Sequence, residues 1–138
     1  MSTREELECI AEDEDITVLN TDCPECGSIS LMTPDGSCYI GLDNKEMTKA
    51  EELVHMAHEL GHCVTGSFYN RYAKFDIISK HEQSANKWAV KKLIPEDELI
   101  AAFECGIMEI WELAEHFGVT EDFMIFACEF YGYYHRAI

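Results

Sequence analysis

The stretch 55–63, HMAHELGHC, contains three of the six histidines of this 138-residue chain. Within it, His58, Glu59 and His62 fit the pattern HExxH. Histidines four residues apart on a helix project from the same face, so both imidazoles can reach one metal ion at about 2.1 Å. Glu59, beside the first histidine, is then placed to act as general base on a water molecule that attacks a carbonyl group. The stretch predicts a catalytic metal site on a helix.

The third histidine of the stretch, His55, does not fit the same ion. About 10 Å of helical rise separates it from His62, which is too far for both to bind one ion at about 2.1 Å. Two alternatives remain open for His55. It lines the cleft beside the metal, or it has no role in the site.

The segments before this stretch predict one helix and a small sheet. An acidic helix over about 3–12 precedes a short strand within 15–20. Residues 28–43 have the pattern of a hairpin, with two β-rich runs around the turn at 33–36. Thr48 and Glu51 then form a capping box that begins the HExxH helix.

The rest of the chain predicts helices. The HExxH helix ends near Gly66, and Ser79 with Glu82 has the spacing of a second capping box, whose helix ends at Pro95. Three further helical segments follow: 96–105, 107–117 and one that begins at Thr120 and reaches into the aromatic stretch 130–138.

The predicted fold class is α+β, with a small antiparallel-edged sheet packed on the HExxH helix and a helical C-terminal half. We interpret residues 1–138 as a single domain. Its three parts are an acidic segment with the small sheet (1–47), the metal-binding helices (48–95) and the helical C-terminal part (96–138).

Glu82 is the candidate third metal ligand. It heads an apolar stripe on the second helix, where a carboxylate is costly to bury without a cation or hydrogen-bond donors. Asn86, one turn further on, is placed to hydrogen-bond a ligand histidine. The alternative is that Glu82 serves only as the capping partner of Ser79. Two histidines, one carboxylate and an open position are typical of a catalytic zinc (Zn²⁺) site, and the same set also accepts manganese (Mn²⁺).

The acidic composition excludes some classes of partner. A net charge of −17 argues against nucleic acid as a direct partner and favours a basic one. The helix predicted after Thr120 follows a helix-turn-helix rhythm, but it has no Lys or Arg through Tyr131 for DNA contacts. The chain also has no apolar run of about 18 residues and no signal peptide, so we expect a cytoplasmic protein without membrane association.

Two other groups of residues attract attention without entering the predicted site. Cys23 and Cys26 form half of a metal or redox motif, which we interpret as two free thiols in a loop, with a metal-linked dimer as the alternative. Tyr69 and Tyr72 either donate a hydrogen bond to an oxyanion or simply pack beside the metal helix. The predicted catalytic residue therefore remains Glu59.

The stretches AHELGHCVTGSFYN (57–70) and HEQSANKWAVKKLIP (81–95) resemble the ImmA/IrrE family of small metallopeptidases. The similarity is greatest to the short members from phages and mobile elements, and it covers about 38–118 and, more loosely, the remainder. It implies a zincin-like (gluzincin) core. It also implies zinc ligands at His58, His62 and Glu82, with Glu59 as the catalytic carboxylate.

The resemblance further implies a role in transcription regulation, in which a zinc-dependent endopeptidase cleaves a helix-turn-helix repressor of a prophage or mobile element. Zincins commonly bind an extended peptide along a strand edge, and we expect SCYIGLD (37–43) to provide that edge. The alternative is a non-proteolytic metal-binding regulator that sequesters a repressor. The intact Glu59 argues against this alternative, since a structural metal site does not need that carboxylate.

Overall fold

The computed structural model describes residues 2–69 and 72–133. In these ranges it contains three strands and six helices, which confirms the α+β class. In chain order they are α1 (Thr3–Asp13), β1 (Thr17–Asn20), β2 (Ser28–Met32), β3 (Cys38–Leu42), α2 (Lys49–Thr65), α3 (Phe75–Leu93), α4 (Glu96–Glu104), α5 (Ile110–Phe117) and α6 (Glu121–Tyr131).

The sheet has the order β1-β3-β2, with β1 parallel to β3 and β2 antiparallel to it. The expectation that 37–43 forms the exposed edge is therefore wrong, because β3 is the central strand and is hydrogen-bonded on both sides. The second neighbour is β1, which pairs with β3 through a long-range parallel contact that a local hairpin pattern does not reveal. The edge beside α2 is β2 instead.

The HExxH helix α2 begins and ends as predicted. Thr48 Oγ1 accepts from the backbone N–H of Glu51 at 3.1 Å, and a Glu51 carboxylate oxygen accepts from the backbone N–H of Thr48 at 3.0 Å. Gly66 closes the helix in the left-handed conformation, with φ of 67°, which favours glycine because it has no Cβ. Between these ends, Met56, Leu60 and the other buried apolar side chains of α2 join the core.

The predicted second capping box is wrong, because α3 begins at Phe75, one turn before Ser79. Ser79 lies inside the helix, where its Oγ accepts a hydrogen bond from Gln83. The misassignment arises because residues three apart face each other on any helix turn, not only at a cap. Glu82 therefore does not cap a helix end, which leaves its carboxylate available to the site.

The helices α2 and α3 come into unusually close contact at one glycine. A Cβ atom built on Gly61 would lie 2.5 Å from the backbone oxygen of Ala85. Only glycine at position 61 allows the two helices to come this close, and the residue that it faces on α3, Ala85, is also small. The contact brings the HExxH face of α2 against the part of α3 that carries Glu82 and Asn86.

The C-terminal helices differ from the prediction mainly at their ends. α5 begins at Ile110 rather than 107, and α6 ends at Tyr131, where Gly132 adopts φ of 84°. The rest of the predicted extension, 134–138, lies outside the described residues. Thr120 caps α6 as expected, since its side chain accepts from the N–H of Phe123 at 3.2 Å. None of the helices in the described ranges has the length and apolar character needed to cross a membrane.

Candidate metal centre

Three of the predicted site residues meet where α2 packs on α3. His58 and His62 come from α2 and Glu82 from α3, and one ligand atom of each lies within 4.8 Å of the other two. Glu59 is not a member of this group. Within the ranges that the structure describes, no other cluster of His, Cys, Asp and Glu has this compactness.

The distances between the three groups suit one tetrahedral ion. His58 Nε2 lies 3.2 Å from His62 Nε2 and 3.0 Å from Glu82 Oε2, and His62 Nε2 lies 3.4 Å from Glu82 Oε1. Ligands bound tetrahedrally at about 2.0–2.1 Å stand about 3.3 Å apart. The side chains therefore already have the spacing that a bound metal ion requires.

The orientation of both imidazoles is fixed from the far side of each ring. His58 Nδ1 contacts Asn86 Oδ1 at 2.7 Å, and His62 Nδ1 contacts the backbone oxygen of Ser67 at 2.5 Å. An amide oxygen only accepts, so each Nδ1 carries a proton, and in the neutral imidazole the lone pair of Nε2 is then free to bind a metal ion. Asn86 thus has the supporting contact expected from the sequence. The Ser67 carbonyl was missed, since a backbone acceptor has no residue signature.

This arrangement of acceptors calls for a cation. Two imidazole lone pairs and a carboxylate face one another at 3.0–3.4 Å, with no hydrogen among them when both rings are neutral. Such groups repel one another unless a proton or a metal ion lies between them. Nitrogen and carboxylate ligands in this number match zinc or manganese.

Tyr69 supports the carboxylate of the group. Its hydroxyl donates to Glu82 Oε1 at 2.6 Å. Burial raises the pKa of the Glu82 carboxyl, but this hydrogen bond and the two nearby imidazoles outweigh burial, so the pKa lies below its usual value. The same hydrogen bond, together with burial, raises the pKa of Tyr69 to about 12. Tyr69 therefore remains a neutral donor directed at Glu82, whereas Tyr72 is 81% exposed.

Glu59 lies beside this group in a different environment. Only 6% of its surface is exposed, and its Oε2 accepts a hydrogen bond from Ser28 Oγ at 2.7 Å. Ser28 also contacts His55 Nδ1 at 2.7 Å. Of the two alternatives for His55, the structure therefore places it in the lining of the cleft. Ser28 was missed because 31 residues separate it from Glu59 in the chain.

The three candidate ligands line one open cleft of about 580 Å³ together with Glu59, Ser28, His55, Tyr69 and Asn86. One wall is the edge strand β2, which contributes Ser28, Ile29 and Ser30, and the apolar side chains of the lining include Val54, Phe68 and Phe123. Cys26, in the turn before β2, reaches the same cleft. The cleft thus combines a strand edge, apolar side chains and the three candidate ligands.

The comparison with protein families agrees with this geometry. The family model described as an IrrE N-terminal-like domain, a peptidase family, matches residues 11–129. The match covers most of the chain and includes every residue of the candidate centre. No curated protein and no solved structure is significantly similar to the chain.

Proposed function

Since the chain belongs to the IrrE N-terminal-like peptidase family, we propose that it is a zinc-dependent endopeptidase with a zincin-like core of the gluzincin type. The observation that carries this proposal is the convergence of His58, His62 and Glu82 within 4.8 Å, with Glu59 beside them in an open cleft. Zinc is the metal that this ligand set favours, and manganese is also compatible.

The residues of the chain have distinct parts in the proposed hydrolysis. When bound, the metal ion supplies Lewis acidity, which polarises the scissile carbonyl and lowers the pKa of water. Glu59 takes a proton from the water molecule while the oxygen of that water bonds to the carbonyl carbon. Glu59 then gives that proton to the amine nitrogen as the C–N bond breaks. The carboxylate is regenerated, and no covalent bond forms between enzyme and substrate.

The free edge of β2 supports binding of the substrate as an extended segment. Among the residues that the structure describes, β2 pairs with β3 on one side only, and its first residues line the cleft. Its unpaired backbone groups can hydrogen-bond an added strand, which would lay the peptide past Glu59. Ile29, which is 55% exposed at this edge, offers apolar contact.

For the substrate itself we propose a helix-turn-helix repressor of a prophage or mobile element, the class that the family resemblance implies. The net charge of −17 supports a basic partner, because opposite charges speed the encounter of two proteins. A DNA-binding repressor has a basic surface, which the negative electrostatic field of this chain would attract.

The test compares the wild type with Glu59→Gln, incubated with zinc or manganese and the repressor encoded nearest to this chain's gene. Products are identified by mass spectrometry. We expect one discrete cut by the wild type and a rate about 10²–10⁴-fold lower for the variant. Zinc affinity and melting temperature should stay close to the wild type, because Gln has the shape of Glu.

Two results would contradict this proposal. Equal cleavage by both proteins would remove Glu59 from the mechanism. Tight binding of the intact repressor by both proteins, with no cut, would favour the regulator that sequesters it.

A further inference from the structure

Two buried polar side chains, Ser28 and Glu59, and the partly buried His55 form a row of hydrogen bonds at the proposed general base. Ser28 is 7% exposed and Glu59 6%. Ser28 Oγ lies 2.7 Å from Glu59 Oε2 and 2.7 Å from His55 Nδ1. The three side chains come from the edge strand β2 and from two positions of α2 that lie one turn apart.

The number of available hydrogens sets the donor-to-acceptor direction of these two hydrogen bonds. A hydroxyl has one hydrogen, and an ionised carboxylate can only accept. Ser28 Oγ donates its one hydrogen to Glu59 Oε2, so in its contact with His55 it accepts from a protonated Nδ1. The order is His55 Nδ1–H to Ser28 Oγ–H to Glu59 Oε2. Each donor in this sequence has an acceptor, as buried polar groups require.

The backbone conformation around Ser28 allows its hydroxyl to contact both His55 and Glu59. Gly27, which precedes Ser28, has φ of +76°, and a Cβ there would lie 3.0 Å from Cε1 of the His55 ring. The same Cβ would lie 2.9 Å from Met47 Cε, and the positive φ disfavours any residue other than glycine here. Ser28 itself is held in register opposite Leu42 of β3. The glycine and the strand pairing together bring the hydroxyl between the two side chains of α2.

We propose that Ser28 and His55 are positioning residues that orient the Glu59 carboxylate for proton transfer, an inference that rests on the proposed function. A glutamate side chain has several rotatable bonds and samples many positions unless it is held. With Oε2 bound by Ser28, one rotamer is favoured and Oε1 remains for the reacting water.

The first arm of the test deletes the hydroxyl. Ser28→Ala, Ser28→Thr and the control Ser37→Ala, a serine in the hairpin turn, are assayed on a quenched fluorescent peptide that spans the bond cut in the repressor. We expect kcat to fall about 10–100-fold in Ser28→Ala. KM should stay within about twofold, since the peptide still binds in the same cleft. Ser28→Thr, which retains a hydroxyl, should recover most of the loss.

The second arm needs no activity. NMR of the imidazole nitrogens, in protein with labelled histidines, shows which nitrogen carries the proton. The hydrogen-bond order requires Nδ1–H for His55, and Ser28→Ala should abolish this preference. His55→Asn keeps a donor near Nδ1 and should retain more activity than His55→Leu. Zinc affinity, from competition with a chelating dye, should be unchanged in every variant.

Three outcomes separate the inference from the function it rests on. A selective loss of kcat with the Nδ1–H form of His55 supports the inference. Wild-type kcat in Ser28→Ala, or an Nε2–H form of His55, overturns it while the peptidase assignment stands. No cleavage by the wild type, with intact zinc binding, overturns the proposed function and this inference with it.

Discussion

The substitution Gly61→Ala tests whether the contact between α2 and α3 sets the geometry of the metal centre. The added Cβ would lie 2.5 Å from Ala85 O and 3.1 Å from Ala85 Cα, whereas ordinary contact begins at 3.4 Å. The obstacle is backbone, so it cannot be relieved by rotating a side chain. The two helices must separate locally by about 0.9 Å, which is the difference between the 2.5 Å from the added Cβ to Ala85 O and the 3.4 Å of ordinary contact.

The size of this shift determines the expected loss. Metal sites hold ligand distances to within about 0.2 Å, so a movement several times larger takes Glu82 out of reach of the two histidines. We expect zinc affinity to fall at least about 100-fold, more than for loss of a supporting hydrogen bond. Overpacking should destabilise the protein by about 1–3 kcal/mol. The better helix propensity of alanine offsets about 1 kcal/mol of that.

The assay for Gly61→Ala is zinc competition with a chelating dye, together with thermal unfolding with and without zinc. The control is Val64→Ala, which removes side-chain atoms at an exposed position of the same helix instead of adding one against the backbone of α3. Wild type and control should bind zinc equally and melt at a higher temperature when it is bound. Zinc affinity of Gly61→Ala within about twofold of wild type would refute the claim that the glycine sets the site.

Two further predictions follow from hydrogen bonds around the site. Asn86→Ala should lower zinc affinity about 10–100-fold because His58 loses its support, while Asn86→Asp, which keeps an acceptor, should stay near wild type. Equal affinities in the dye competition would contradict this. Thr48→Ala should lower the free energy of unfolding by about 1 kcal/mol through loss of the α2 cap. Urea denaturation measures this effect, and an unchanged midpoint would show that the cap adds little stability.

Local patterns predicted the parts of the site that lie close together in the chain. HExxH identifies two ligands and the candidate base on one helix, and Thr48 marks the start of that helix because a cap acts within one turn. Glu82 was selected by its apolar stripe and by family resemblance. Its competing interpretation as a cap failed because a spacing of three residues has the same appearance at a helix start and inside a helix.

Contacts between distant segments were not predictable in this way. Ser28 is brought to Glu59 only when β2 pairs with β3 and packs on α2, so its role depends on tertiary structure. The order of the sheet was missed for a similar reason, since β1 pairs directly with β3 although β2 lies between them in the sequence. The carbonyl that orients His62 belongs to the backbone, which no pattern of residue types can reveal.

The two ligand histidines differ in how easily mutation can disturb their support. His58 depends on the Asn86 side chain, and many single substitutions at that position remove the acceptor. His62 depends on the backbone oxygen of residue 67, which every amino acid possesses. The turn of the chain at Gly66 places that oxygen. The orientation of His62 therefore depends on the turn and not on a serine side chain at position 67. Over evolutionary time, we expect position 67 to accept other small residues while Gly66 stays fixed.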